Sequence, residues 1–115
     1  MVKVDTHAKP LTEIEPDCLA VMLFLTEKPD TMWRSIFEGR ASAEDPSFTL
    51  CEAVADGRDV VGLTLRWSMT DEDARARVQR LVCLVDEVEA EHSARWAKLR
   101  HLESVVGAMA PLGVA

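Results

Sequence analysis

The sequence predicts an α+β fold: a two-layer sandwich in which a three- to four-stranded, mostly antiparallel sheet carries a short and a long helix on one face. Three observations predict it. Residues 18–26, CLAVMLFLT, form a continuous apolar run. Two β-rich runs, FTLCEAV (48–54) and DVVGLTLRW (59–67), flank an Asp-Gly turn signal. A stretch without Pro or Gly then extends from Asp71 to Val106 with helical periodicity. Strand-type runs interleaved with helix-type runs build a sheet covered by helices.

The elements follow in order. Residues 2–16 alternate weakly at Val2 and Val4 and become irregular around Pro10 and Pro16, which reads as an edge strand or an extended arm. Pro16 and Pro29 bound the apolar run and favour a central strand, although a buried helix started at Pro16-Asp17 has the same pattern. In PDTMWRSIFEG (29–39), Met32, Trp33, Ile36 and Phe37 share one helical face. Pro29 or Asp30 starts that helix, Gly39 ends it, and residues 40–46 read as a loop. Asp56-Gly57 predicts a hairpin. In its second strand Val61, Leu63, Leu65 and Trp67 face the core, with Val60, Gly62, Thr64 and Arg66 on the wetter side.

The long helix has clear ends. Thr70 is its N-cap and Asp71, Glu72 and Asp73 sit where the helix dipole favours acids. Asp71–Arg75, Asp73–Arg77 and Glu91–Arg95 are i,i+4 pairs, and Gly107 and Pro111 stop the helix. At 1.5 Å per residue it would be about 50 Å long, against a radius of gyration of about 13 Å for a compact domain of this size. It therefore breaks near residue 92, or residues 92–115 project beyond the core. The order β-(β)-α-β-β-α approaches the ferredoxin-like βαββαβ plan, with the tail after Gly107 as its last strand.

With 115 residues, 48% of them hydrophobic, the chain is one domain that needs neither disulfides nor a metal to fold. A net charge of -7 and no Lys/Arg-rich stretch argue against nucleic acid as a partner. The longest apolar run is too short to cross a bilayer, and Met1 to Asp5 hold no apolar signal core, so a cytoplasmic protein is expected. Cys18, Cys51 and Cys83 are widely spaced, as free thiols in a reducing compartment are.

No complete catalytic set is present. Glu89 and His92 form one E-x-x-H, and carboxylate-bridged metal sites need two such motifs and further carboxylates, so no metal or cofactor is expected. G-x-S-x-G is absent and the five glycines are isolated. Trp33, Trp67 and Trp96 fall on three elements facing the presumed core, where burial is the commoner fate of Trp. A cleft between sheet and helices would make Trp33, Arg66, Trp67 and His92 the candidate ligand-binding residues. The long helix carries a heptad seam, Val78, Val85, His92, Leu99, Val106 with Leu81, Val88, Arg95, Leu102, Met109. The favoured expectation is a non-catalytic homo-oligomeric interaction module that self-associates through Val78, Leu81, Val85, Val88, Leu99 and Leu102. The alternative is a small dimeric ferredoxin-like enzyme or ligand-binding protein.

Overall fold

The computed structural model describes residues 1–52 and 57–109. Its elements are β1 (Leu11–Ile14), β2 (Cys18–Phe24), α1 (Thr31–Glu44), β3 (Thr49–Glu52), β4 (Asp59–Arg66) and α2 (Asp71–Ala108). The strands form one antiparallel sheet in the order β1-β2-β4-β3. Strands β2 and β3 thus run parallel with β4 between them, and α1 connects them, which is the split βαβ of the ferredoxin-like plan. The edge beside β2 is filled by β1, from the opposite end of the chain to the strand that plan would use. The extra strand expected after Gly107 falls at 110–115, outside the described residues.

Register sets the two faces. Val21 pairs with Leu63 and Leu23 with Val61, and all four enter the core beneath the helices. Phe24 pairs with Val60 on the other face, where Ala8 and Met22 pack against them. Burial on both faces is why residues 18–24 are continuously apolar and form a central strand. Helix α1 adds Trp33, Ile36, Phe37 and Ala41 to the core, and α2 adds Leu81, Leu84, Val85 and Val88. Trp33 is wholly buried and stacks on Phe37, one turn further on, at 5.6 Å.

Helix α1 starts where expected, with Asp30 Oδ1 accepting the Trp33 N–H at 2.8 Å. It does not end at Gly39, and the loop expected over 40–46 is helical as far as Glu44. A Cβ at Gly39 would meet nothing within 4 Å. The last turn is held from outside: Ala41 enters the core, while Arg40 and Glu44 bond to α2. Asp45 and Pro46 end the helix, since Pro disfavours helical backbone in the residue before it. Gly57, two residues before β4, takes the left-handed conformation at φ 70° that glycine adopts without a Cβ clash. Asp56, its partner in the expected hairpin signal, and residues 53–55 lie outside the described residues.

Helix α2 is unbroken over 38 residues, about 57 Å at the α-helical rise. Thr70 caps it, its Oγ1 accepting the Asp73 N–H at 3.1 Å. Gly107 is itself helical, at a cost of only about 1 kcal/mol, and the helix ends one residue past it at Ala108, while Pro111, the other expected stop, lies outside the described residues. There is no break near residue 92. From Ser93 onward every described residue is exposed, so the second half of the helix projects from the body. The radius of gyration of 18.4 Å and the 67 × 28 × 22 Å extents record that projection.

Of the expected intrahelical pairs, Glu91–Arg95 forms, at 2.6 Å. Asp71–Arg75 and Asp73–Arg77 do not. Arg77 instead reaches across to Asp45 and to Ser47 Oγ, tying the α1–β3 loop to α2. Trp67 is not on the core face, because β4 ends at Arg66 and the chain turns there toward α2. It is 80% exposed.

Candidate functional site

The four candidate residues divide between opposite ends of the molecule. Arg66 and Trp67 lie just before α2 begins, and His92 lies roughly 30 Å further along that helix at its usual rise. Arg66 and Trp67 border an open cleft of about 360 Å³ with Asp17, Cys18, Thr64 and Ser68. Arg66 also lines a larger one, about 690 Å³, whose Arg77 is already committed to Asp45 and Ser47. Trp33 and His92, by contrast, belong to one cluster at the point where α2 leaves the body. Among the described residues, the two pairs stand too far apart for one cleft to join all four.

That cluster is built on Asp30. Capping α1 occupies Oδ1, and Oδ2 faces His92 Nε2 at 2.8 Å. Trp96, one turn beyond His92, places its indole Nε1 3.1 Å from the same ring nitrogen. A ring nitrogen that faces a carboxylate carries the proton, so His92 Nε2–H donates to Asp30 and offers no lone pair to Trp96. The indole N–H, also a donor, stands beside the Asp30 carboxylate and favours its charge. The backbone N–H of Trp33, and after it the hydrogen bonds from His92 and Trp96, hold the Asp30 carboxyl below its ordinary value, against the opposing pull of partial burial. One carboxylate therefore joins both helices, accepting from the Trp33 N–H on α1 and from His92 on α2.

Glu89 makes a second joint beside the first. Its Oε2 accepts the indole N–H of Trp33 at 3.0 Å and the backbone N–H of Val2 at 3.1 Å. Val2 is buried in the core. The two members of the E-x-x-H motif thus face different partners rather than one point in space. Among the described residues no group of three His, Cys, Asp or Glu side chains is placed to hold a metal ion. Nor does any Ser, Thr or Cys side chain among them hydrogen-bond His92, as an activated nucleophile would. Asp30 uses one oxygen to cap α1 and the other to bind His92, and Glu89 is the acceptor for the core tryptophan. This is the chemistry of a rigid joint.

An ion-pair chain runs from the body to that joint. Glu44, Arg80, Glu87, Arg40, Glu91 and Arg95 alternate in sign along the groove between α1 and α2. Such networks are worth more than isolated surface pairs. Sequence spacing identified only its last link, Glu91–Arg95, because the links to Arg40 and Glu44 cross between helices. The capping role of Asp30 was legible, but the use of its second oxygen was not.

Beyond the joint, α2 presents a row of exposed apolar side chains. Trp96, Leu99, Leu102, Val106 and Met109 are between 41% and 60% exposed. They continue the stripe that Leu81, Val85 and Val88 bury against the body. Of the six residues expected to mediate self-association, Leu81, Val85 and Val88 are thus consumed by the chain's own core, and Val78 packs against it. Leu99 and Leu102 remain exposed. No helix is long and apolar enough to cross a membrane among the described residues.

Comparison with known proteins yields no identification. No family model, curated protein or solved structure matches the chain.

Proposed function

We propose that this protein is a non-catalytic, homo-oligomeric interaction module whose assembly element is the distal half of α2. The observation behind the reading is the exposed stripe Trp96, Leu99, Leu102, Val106, Met109 on a helix that leaves the body fully formed. Each buried Leu or Val contributes about 1.5–3 kcal/mol, so a stripe left in water forgoes a large share of what the helix has to offer. Isolated helical segments of this length are marginal in water, and a packed partner supplies what they lack. The joint at Asp30 and Glu89 fits the same purpose, since it aims the projecting helix from a fixed root.

The double variant Leu99→Asp/Leu102→Asp tests this. Both positions lie beyond the last core residue of α2, Val88, so the body should keep its unfolding midpoint. Sedimentation velocity should show the native protein as an oligomer and the variant as a monomer. An unchanged sedimentation coefficient would refute the reading.

A second reading has one specific observation in its favour: the 80% exposed Trp67 beside Arg66 at the rim of a cleft. A ligand seated there would change Trp67 fluorescence, and Trp67→Phe would remove the signal without touching the core.

A further inference from the structure

We infer that two copies of this chain pair through their projecting helices in antiparallel fashion, about a two-fold axis at Leu99. The inference rests on the self-association reading above and specifies its geometry.

Charge sets the first constraint. Residues 93–115 carry Arg95, Lys98 and Arg100 against Glu103, a formal +2 within a chain of -7, which leaves -9 on residues 1–92. The projecting helix is therefore the basic part of an acidic molecule. Parallel pairing would place two acidic bodies side by side at the same end. Antiparallel pairing sets them at opposite ends, each beside the basic helix of the other copy. Exposed charges farther apart than about 10 Å are largely screened at 0.1 M salt, so the near contacts decide.

Those contacts are set by position on the helix. At 3.6 residues per turn, Arg95, Trp96, Leu102, Glu103 and Val106 all lie within about 60° of Leu99. Lys98 and Arg100 lie about 100° away, outside the face. Burying this face thus encloses one cation and one anion per copy, and each is costly unless matched. Arg95 and Glu103 stand four residues on either side of Leu99. A two-fold axis at Leu99 brings Arg95 level with Glu103 of the partner subunit, and does so twice. It also sets Trp96 level with Leu102 of the partner subunit, and Leu99 against its own copy. Parallel pairing would oppose Arg95 to itself. Sliding the antiparallel pair by one turn in the direction that sets Leu99 opposite Arg95 would bring Glu103 to Glu91 of the partner subunit. Sliding it the other way, by three residues, sets Arg95 against Val106. Of these arrangements, the Leu99-centred register alone pairs Arg95 with an acid.

Arg95 is placed to serve. Its side chain is 56% exposed and it ends the inter-helix ion-pair chain, bonded to Glu91 at 2.6 Å. In the pair it would extend that network across the two-fold axis.

The test is a charge exchange on the full chain, read as the dimer dissociation constant by analytical ultracentrifugation, with helicity by circular dichroism as the folding control. Arg95→Glu sets acid against acid at both symmetric contacts, and Glu103→Arg sets base against base. Each single variant should weaken the dimer at least about tenfold, since two symmetric pairs turn repulsive together. The double variant Arg95→Glu/Glu103→Arg restores both pairs and should recover most of the native affinity. A native dimer whose affinity the double variant fails to recover would overturn this register while leaving self-association standing. A native protein that is monomeric at every concentration would overturn both.

Discussion

Arg34 and Asp59 form an ion pair set into the body, with the Asp59 side chain fully buried and 2.9 Å from the guanidinium. Asp59 Oδ1 has no hydrogen-bond partner among the described residues, so the carboxylate depends on Arg34 for its compensation. Breaking such a pair costs more than replacing it, because the remaining charge stays in the low dielectric. Arg34→Ala should lower the unfolding free energy by about 2–3 kcal/mol, less than a fully enclosed pair would lose because Arg34 keeps 31% exposure. The double variant Arg34→Leu/Asp59→Leu should recover most of that loss in urea denaturation. Equal losses in the single and double variants would show that Asp59 is not strained by burial. Nothing in the local sequence announced this pair. Arg34 follows Trp33 and Asp59 precedes Val60-Val61, and the two residues, 25 apart in the chain, meet only once it has folded.

At the scale of elements, periodicity marked β4 and both helices, length and the bounding prolines favoured a strand for β2, and β1, exposed at all four residues, was legible only as an edge strand or an extended arm within residues 2–16. Boundaries were less legible, and α1 shows why. Gly39 resembles a helix stop, yet the ion pairs of Arg40 and Glu44 to α2 and the burial of Ala41 carry the helix five residues past it. Those contacts are tertiary, so the local sequence holds no trace of them. Gly39→Ala discriminates the two situations. Within a helix and with open space around the Cβ, it should stabilise the protein by about 0.5–1 kcal/mol. A left-handed C-cap would instead make it destabilising, and a lowered melting temperature would contradict the structure. The candidate site divided in the same way. The spacing of His92 and Trp96 on one helix was readable, whereas their meeting with Asp30, 62 residues from His92 in the chain, was not.

At the scale of the whole molecule, the acidic body and its basic helix govern the response to pH. Among the described residues, five carboxyls sit below their ordinary values, 3.8 for Asp and 4.5 for Glu. Arg58 holds Asp5 down, the Trp33 N–H holds Asp30, Arg80 holds Glu44 and Arg40 holds Glu91. Asp45 is drawn up by burial and, more strongly in sum, down by the Ser47 N–H and Arg77. A carboxyl with a depressed folded value contributes stability that is complete above its unfolded value and is lost as pH falls through the folded one. The urea midpoint should therefore stay level from pH 7 to about pH 5 and fall below about pH 4. A midpoint that rises on acidification would contradict the placement of these groups.

Self-association through the projecting half of α2 is the central claim, and absolute mass tests it most directly. Light scattering after size exclusion, on the full chain across a concentration series, should give twice the chain mass of 12.8 kDa, with a shift toward one chain only on dilution. A mass of one chain at every concentration would contradict the account and leave the exposed stripe of α2 without the partner assigned to it.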